Sequence, residues 1–442
     1  MTPVVTSRRS SLINLLVLVM ASAIALTLLE IAAPVVFRAN MGRSFSRKEA
    51  TAGLEAAQVT FEDVVALDEP GFTQDHVLHP YLGFVDLHTA TLSPGNPHYV
   101  NTFGFVGMDP IQTRDPATLI VGIFGGSVAN ILYRGSRGHI VERLRALYPE
   151  REIKIVCGAL AGYKQPQQLL ALAYFHAIGG EFDIVVNVDG YNEIALPHEE
   201  NILAGVNPFF PRSWKAYARK ALDKRIMGKI GEITRVRDRR AAMKKVAQGS
   251  LLRHSSFALV LWSALDTHAA TRIKELNTEI LAIIRDDREA DYQTTGPEFA
   301  FTGLGTMYAR LVATWSQCSR QMDGMARANG FSYYHFLQPN QYHRGSKTLT
   351  SGELAHAYLP NTLGAKAAER AYPLLRAAGR ELGAQGVCFT DLSMLFQDVS
   401  TDIYVDDCCH YNALGNRMVM KAIVDVITAD LKARGLAEKP RS

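Results

Sequence analysis

The fold is decided by residues 119–127, which read LIVGIFGGS. A short apolar run that ends in small residues is typical of a buried strand that breaks into a turn. Four further strand-like runs lie at residues 153–157, 183–188, 331–337 and 387–390. Helical patterns lie within residues 129–147, 166–177, 307–329, 365–382 and 414–433. This alternation predicts the α/β class, with a flavodoxin-like, doubly wound sheet of five parallel strands and a site at their carboxyl ends.

The chain of 442 residues is 48% hydrophobic, which suffices for one large domain with insertions or for two domains. Its net charge of +4 is small for this length and indicates no class of partner by itself.

An apolar segment near the N-terminus predicts a membrane anchor at residues 1–38. Residues 12–29 are almost wholly apolar, and Glu30 is followed by a second apolar run at 31–37. Together the two runs are long enough to cross a hydrocarbon core of about 30 Å. Small residues at 21–25 keep a cleaved signal peptide open as an alternative.

The charges that flank the anchor do not favour export of the rest of the chain. Arg8 and Arg9 precede the apolar segment, and more basic residues follow it. Those that follow are Arg38, Arg43, Arg47 and Lys48. The positive-inside rule therefore leaves the orientation open.

The remaining chain is predicted to contain three parts. Residues 39–118 form a connector with short strands, residues 119–434 form the α/β domain, and residues 435–442 form a tail. A helical insertion interrupts the α/β pattern at about 194–298, and within it residues 212–253 carry fourteen Lys or Arg against three acidic residues. That charge fits a solvated helical surface, or a surface for anionic lipid or an acidic glycan. No nucleic-acid recognition motif accompanies it, so nucleic acid is not expected as a partner.

Three side chains have the chemistry of a serine nucleophile with its base and orienting acid. Ser127 ends the first strand, while Asp407 and His410 lie on one short loop before the last helix. A serine hydroxyl needs a base to remove its proton, and the base needs a third group that fixes its tautomer. Asp407, His410 and Ser127 are therefore the predicted catalytic residues, and Asp406 is an adjacent competitor for the orienting role.

Donors for a developing oxyanion follow the next two strands. Gly162 lies in the turn GALAGY at 158–163, and Asn192 lies in DGYNE at 189–193. Both stretches end at the same edge of the predicted sheet as Ser127. The backbone amides of Ser127 and Gly162, with the Asn192 side chain, form the predicted oxyanion hole.

These blocks, in this chain order, resemble the SGNH/GDSL hydrolase superfamily. Block one reads GGSV at 125–128, with Gly126 where the family has Asp, and block three has Glu193 where Asp is usual. NTFGFVG at 101–107 and LQP at 337–339 look like the membrane-anchored bacterial branch, in which Val106 would often be Arg. The spacing in the family favours Asp407 over Asp406 as the orienting carboxylate.

The resemblance implies the SGNH hydrolase fold and a serine esterase or acyltransferase acting on O-acyl, preferably O-acetyl, groups of a cell-envelope carbohydrate. It also implies a single-pass protein of the bacterial inner membrane with its catalytic domain in the periplasm. The alternative is a non-catalytic binding or assembly component of a polysaccharide secretion complex. No cofactor is expected, and the histidines form no metal-type spacing, so no metal is expected either.

The cysteines form no CxxC pair. Cys157 and Cys388 fall in or at the ends of predicted strands, where small buried side chains are the simplest interpretation. Cys408 and Cys409 lie within the predicted catalytic loop. In an exported protein, a disulfide from one of them to Cys388 is a further hypothesis.

Overall fold

The computed structural model describes residues 6–42, 44–56, 76–89, 92, 96, 98–249, 252–285 and 292–435. Part of the predicted connector, residues 57–75, and the predicted tail after residue 435 lie outside the described residues.

The core is a five-stranded, wholly parallel sheet, as the strand and helix pattern predicted. Two short strands, β1 (His76–His79) and β2 (Gly83–Asp86), form a separate antiparallel pair in the lead-in. The sheet strands are β3 (Thr118–Gly125), β4 (Glu152–Ala159), β5 (Ile184–Asp189), β6 (Ser332–Leu337) and β7 (Phe389–Asp391). Every residue of β3 and β5 is buried, which explains why both strands are mostly apolar.

The strand order across the sheet is β4-β3-β5-β6-β7. The chain moves outward from β3 to β4, then returns past β3 to β5 and continues in the other direction. The order therefore reverses at β3, and the crevice at such a reversal, beside the carboxyl ends of the strands, is where open α/β sheets place their sites.

Helices connect the strands and cover the sheet. Four α-helices cross between strands or follow the last one, close to their predicted bounds: α3 (Ser127–Leu147), α4 (Gln167–Ala177), α12 (Leu363–Ala384) and α13 (Ala413–Ala433). Between β5 and β6 the chain forms α5 (Tyr191–Leu196), α6 (Trp214–Leu222), α7 (Lys224–Gln248), α8 (Ser256–Arg285), α9 (Tyr292–Thr295) and α10 (Leu304–Asn329). The short helix α11 (Ser351–His356) lies between β6 and α12.

The N-terminal helices are α1 (Thr6–Met41) and α2 (Arg47–Ala56). Within α1, the segment Leu12–Ala39 is long and apolar enough to cross a membrane. This agrees with the predicted single-pass anchor.

The chain divides into two compact units, and the division differs from the predicted domain boundaries. The anchor unit comprises residues 1–68 and 219–287, and the sheet unit comprises residues 69–218 and 288–442. The predicted insertion at 194–298 is thus shared between them. In the anchor unit Leu54 of α2 packs with Ala247 of α7 and with Leu259 and Trp262 of α8. The hairpin formed by α7 and α8 therefore shares a hydrophobic core with α2.

Candidate active site

Ser127 is the first residue of α3, directly after β3. The turn between them requires glycine at Gly125, whose φ is +144° and where an added Cβ would lie 2.2 Å from the carbonyl oxygen of Val188. Since the first amides of a helix have no partner within it, the Ser127 N–H is available to a ligand. The β3–α3 turn therefore presents both the hydroxyl and the amide of Ser127 at the carboxyl end of the sheet.

The imidazole of His410 lies between Ser127 and a carboxylate. His410 Nε2 is 2.7 Å from Ser127 Oγ, and His410 Nδ1 is 2.5 Å from Asp406 Oδ2. Asp406 and His410 are partly exposed, so the group is open to solvent on one side. The predicted nucleophile and base, separated by 283 positions in the chain, are brought into hydrogen-bond contact.

The prediction that Asp407 orients His410 is wrong, because the carboxylate that pairs with His410 is that of Asp406. Asp406 Oδ1 also accepts from the backbone amides of Cys408, Cys409 and His410, at 3.1, 3.2 and 3.3 Å. This local turn points the carboxylate of Asp406 back at the ring four positions later. Burial alone would raise the pKa of Asp406, but the hydrogen bond from His410 and those amides outweigh it and lower the pKa.

Gly162 and Asn192 lie where the oxyanion prediction needs them. Gly162 has a left-handed φ of +81° in the turn after β4, and Asn192 is in the first turn of α5, after β5. Within the described part of the chain, the amides of Ser127 and Gly162 donate no hydrogen bond. Asn192 Nδ2 donates to the Tyr163 carbonyl at 2.9 Å, which leaves its second hydrogen for another acceptor.

The position of Asn192 explains the glycine that replaces the expected Asp before the serine. A Cβ added at Gly126 would lie 2.3 Å from Asn192 Nδ2 and 3.0 Å from the Tyr163 carbonyl oxygen. A side chain at residue 126 would thus displace the amide of Asn192. The glycine lets the third donor approach the backbone beside Ser127.

A buried network supports Asn192 from below. The neighbouring Glu193 accepts from the backbone amides of Gln165 and Gly190, at 3.1 and 2.8 Å, and from Gln168 Nε2 at 2.8 Å. Burial, and then the nearby carboxylate of Asp189, raise the pKa of Glu193 to about 8. These bonds tie the turn that bears Gly162 to the helix that bears Asn192.

Asp189, the last residue of β5, anchors the same network on the far side. Trp315 Nε1 donates to its Oδ1 at 2.7 Å, and His335 Nε2 lies 2.8 Å from the same atom. Asn187 Nδ2 donates to Oδ2 at 2.7 Å. His335 is fully buried here and has a structural role.

The segment after β6 holds the backbone of the loop that carries Asp406 and His410. Asn340 Nδ2 donates to the Cys408 carbonyl at 3.1 Å, Gln341 Nε2 to the Asp406 carbonyl at 2.9 Å, and Tyr342 Oη to the Asp407 carbonyl at 2.7 Å. We call Asn340, Gln341 and Tyr342 the loop clamp. The sequence signal was the LQP stretch at 337–339, which immediately precedes it, but the clamp residues themselves were not predicted.

Arg212 was also missed by the sequence analysis. A Cβ added at Gly162 would lie 2.0 Å from Arg212 Cδ, so the stem of this arginine covers the glycine of the oxyanion turn. Its guanidinium pairs with Glu200, with Nε to Oε2 at 3.2 Å. The only available signal was its place in a basic run, which gave no reason to assign it to the site.

Lys164, next to the same turn, is fully buried. Its Nζ donates to the carbonyls of Pro208 and Phe210, at 2.8 and 2.5 Å. Burial lowers the pKa of Lys164 to about 7, against the opposing attraction of Glu193 and Glu200. The lysine thereby fixes the segment that leads into Arg212.

The five cysteines are free thiols, so the proposed disulfide to Cys388 is wrong. Cys408 Sγ and Cys409 Sγ lie 3.1 Å apart, and with a ring nitrogen of His410 they form a group within 4.8 Å that has metal-ligand chemistry. Both ring nitrogens of His410 already have hydrogen-bond partners, and burial raises the pKa of the Cys409 thiol. The group is therefore better explained as part of the loop that presents His410 than as a metal centre.

Comparison with known proteins adds nothing to this assignment: no protein-family model matches the chain, and no curated protein matches it. The site is defined by its geometry alone, as a serine hydroxyl, an imidazole and a carboxylate in series beside three amide donors.

Proposed function

We propose that this protein is a serine esterase or O-acyltransferase of the SGNH type, with Ser127 as nucleophile, His410 as general base and Asp406 as the group that orients it. The observation that carries the proposal is the continuous series from Asp406 Oδ2 through both ring nitrogens of His410 to Ser127 Oγ. Geometry and roles identify such a site independently of the fold on which it stands.

In the first half-reaction, Ser127 Oγ attacks the ester carbonyl while His410 Nε2 takes the hydroxyl proton. The oxyanion that forms is stabilised by the amides of Ser127 and Gly162 and by the free hydrogen on Asn192 Nδ2. His410 then returns the proton to the leaving alcohol oxygen. The acyl group remains bound to Ser127 as an ester.

In the second half-reaction an acceptor hydroxyl attacks the acyl carbon, and His410 Nε2 removes its proton. The bond to Ser127 Oγ then breaks, and His410 returns the proton to that oxygen. Water as acceptor gives hydrolysis, and a sugar hydroxyl gives transfer. Asp406 keeps its charge throughout and stabilises the imidazolium in each step.

We propose an acylated carbohydrate of the cell envelope as the substrate, with acetyl as the acyl group. The resemblance of the sequence blocks to the membrane-anchored bacterial branch supports this, and so does the single apolar helix α1, which would hold the enzyme beside the envelope. A periplasmic sheet unit, tethered to the inner membrane, is part of the same proposal.

A fluorophosphonate probe tests the enzyme assignment directly. We expect the full-length protein to be labelled at Ser127 and to release acetate from acetylated glycans. The Ser127→Ala variant should lose labelling and most ester turnover, while its circular dichroism and melting temperature stay close to those of the wild type. A wild-type protein that binds acetylated glycan tightly but is not labelled would instead support the non-catalytic assembly component.

A further inference from the structure

The apolar helix α1 carries one carboxylate, Glu30, and the structure gives it a partner. Glu30 accepts from the hydroxyl of Ser255 and, at 2.7 Å, from the backbone amide of Ser256, the first residue of α8. Ser255 in turn accepts from the Ala258 amide, as a helix cap does. The one acid in the anchor thus binds the positive end of the α8 dipole, at the turn between α7 and α8.

The contact continues along one face of α1. Ala33 and Phe37, three and seven positions after Glu30, are buried, whereas Val35 and Val36 on the other side are 67% and 52% exposed. Residues three, four and seven apart share a helix face. After Glu30, one face of α1 is therefore buried against the rest of the anchor unit, whereas the opposite face is apolar and exposed.

The length of α1 sets the depth of this contact. Residues 12–29 are all exposed, and eighteen helical residues span about 27 Å, close to the thickness of a hydrocarbon core of about 30 Å. Glu30 therefore lies near the end of the hydrocarbon region if residues 12–29 cross it. The turn between α7 and α8 must then lie at the level of the lipid headgroups.

The side chains around this turn have the chemistry expected at the level of the lipid headgroups. Val246 and Leu261 are 62% and 47% exposed, and Lys245, Arg253 and Lys48 are exposed cations beside them. Apolar side chains flanked by long basic ones are typical of segments that lie in a membrane interface, because the basic stems extend to the headgroup phosphates. Glu30, the one acid of α1, is bound to the start of α8.

Further from the turn, three cations of the hairpin pair with acids on the facing helix. Arg240 pairs with Asp266, Lys229 with Glu279, and Arg272 with Glu232. These pairs neutralise part of the positive charge of residues 212–253 along the body of the hairpin. Lys48, Lys245 and Arg253 have no ion-pair partner among the described residues, and they lie at the turn or beside it.

We propose that the α7–α8 turn with its flanking residues, the hairpin tip (residues 244–249 and 252–256), lies in the headgroup layer of the membrane and binds anionic phospholipid. Val246 enters the acyl boundary, and Lys48, Lys245 and Arg253 bind headgroup phosphates. The proposal depends on α1 crossing a membrane and is independent of the ester chemistry at Ser127.

Lipid retention by the full-length protein tests the charge selectivity. The protein is reconstituted in nanodiscs of phosphatidylcholine with phosphatidylglycerol, extracted in mild detergent and examined by native mass spectrometry for bound lipid. We expect enrichment of phosphatidylglycerol in the wild type. The variant Lys48→Gln/Lys245→Gln/Arg253→Gln should lose that enrichment, by about fivefold per charge removed.

The matched control is Lys224→Gln/Arg235→Gln/Lys274→Gln, which removes three exposed charges from the body of the hairpin. It should retain phosphatidylglycerol like the wild type. Equal retention by all three proteins would overturn the charge assignment, as would equal loss in the two variants.

Photocrosslinking tests the depth. A benzoylphenylalanine placed at Val246 should form adducts with acyl chains in nanodiscs, whereas the same group at Lys274 should form none. Absence of lipid adducts from position 246 in protein that melts like the wild type would overturn the placement. A soluble polyuronate could instead block crosslinking from position 246 while the protein shows no preference for phosphatidylglycerol. That result would identify an acidic glycan as the ligand and would also overturn the proposal.

Discussion

At the scale of single residues, the candidate site depends on which of two adjacent carboxylates faces His410. Asp406 reaches Nδ1 of the ring because its other oxygen caps three successive amides of the same turn. The side chain of Asp407 makes no hydrogen bond to His410. Burial and then the charge of Glu200 raise the pKa of Glu199, and the charge of Asp407 adds to them. Replacing Asp406 and Asp407 separately therefore distinguishes a carboxylate that orients His410 from a carboxylate that only adds negative charge to the loop.

We predict that Asp406→Asn lowers kcat/KM for ester hydrolysis by about 10³- to 10⁴-fold, because the amide would hold His410 in the wrong tautomer for accepting the serine proton. Asp407→Asn should leave turnover nearly unchanged. Steady-state hydrolysis of an acetyl ester measures both, with melting temperatures as the control for folding. A larger loss in the Asp407 variant than in the Asp406 variant would reject the pairing seen in the structure.

Asn192 is a second residue whose role is specific. Its Nδ2 has one hydrogen bound to the Tyr163 carbonyl and one available, so Asn192→Ala should lower kcat by about 100-fold with a smaller change in KM. Asn192→Asp keeps the size of the side chain but removes the donor, and it should not restore activity. Recovery of turnover in the Asp variant would argue that the side chain serves only to pack the turn.

At the scale of elements, four loops create the site: the turns after β3, β4 and β5, and the loop of Asp406 and His410. A fifth segment, after β6, holds that last loop in place. Parallel strands bring their carboxyl ends to one edge, so the turns after β3, β4 and β5 meet although their residues are far apart in the chain. The loop of Asp406 and His410 precedes α13 and is positioned by side chains rather than by a strand. The loop clamp is thus the element-scale feature on which the geometry of the base depends.

We predict that Tyr342→Phe weakens this positioning, because it removes the hydroxyl that donates to the Asp407 carbonyl and accepts from the Leu359 amide. Loss of these bonds should lower the free energy of unfolding by about 1–2 kcal/mol and reduce kcat beyond what the unfolded fraction explains. Chemical denaturation and steady-state kinetics measure the two effects. Tyr358→Phe is the control, because its ring stacks on Tyr342 at 5.3 Å without touching the loop carbonyls. Equal effects in the two variants would contradict a positioning role.

At the scale of the whole molecule, the sheet unit carries the candidate site and the anchor unit carries the apolar helix α1. The sheet unit contains buried titratable groups close to the site, among them Lys164 and Glu193. Groups of this kind make stability depend on pH, since their protonation differs between the folded and unfolded chain. Lys164 gives the clearer sign.

We predict that the sheet unit gains stability relative to its Lys164→Met variant as pH rises from about 7 to about 10. Over that range the unfolded chain still binds the lysine proton, whereas the buried folded lysine has lost it, so deprotonation favours the folded state. Urea unfolding across this pH range measures the difference. The exposed Lys366→Met serves as control and should show no such trend. A wild-type advantage that shrinks as pH rises would contradict the buried neutral lysine.

Much of this architecture could be predicted from the sequence because it depends on local patterns. Buried parallel strands are largely apolar runs, and their turns contain small residues. The sequence therefore predicted the five strands, the positions of Ser127, Gly162 and Asn192 after strand ends, and the position of His410 before the last helix. The coarse α/β class and the single apolar helix were predicted for the same reason.

What only the tertiary structure decided are the contacts between segments distant in the chain. The choice of Asp406 over Asp407 depends on the backbone path of one turn, since both acids have the same composition signal and are a single position apart. Three other contacts join residues that share no periodicity in the sequence. They are the loop clamp, the packing of the Arg212 stem on Gly162, and the binding of Glu30 to the start of α8. A linear pattern encodes which face of an element is buried, whereas the partner at that face is fixed only when the chain packs.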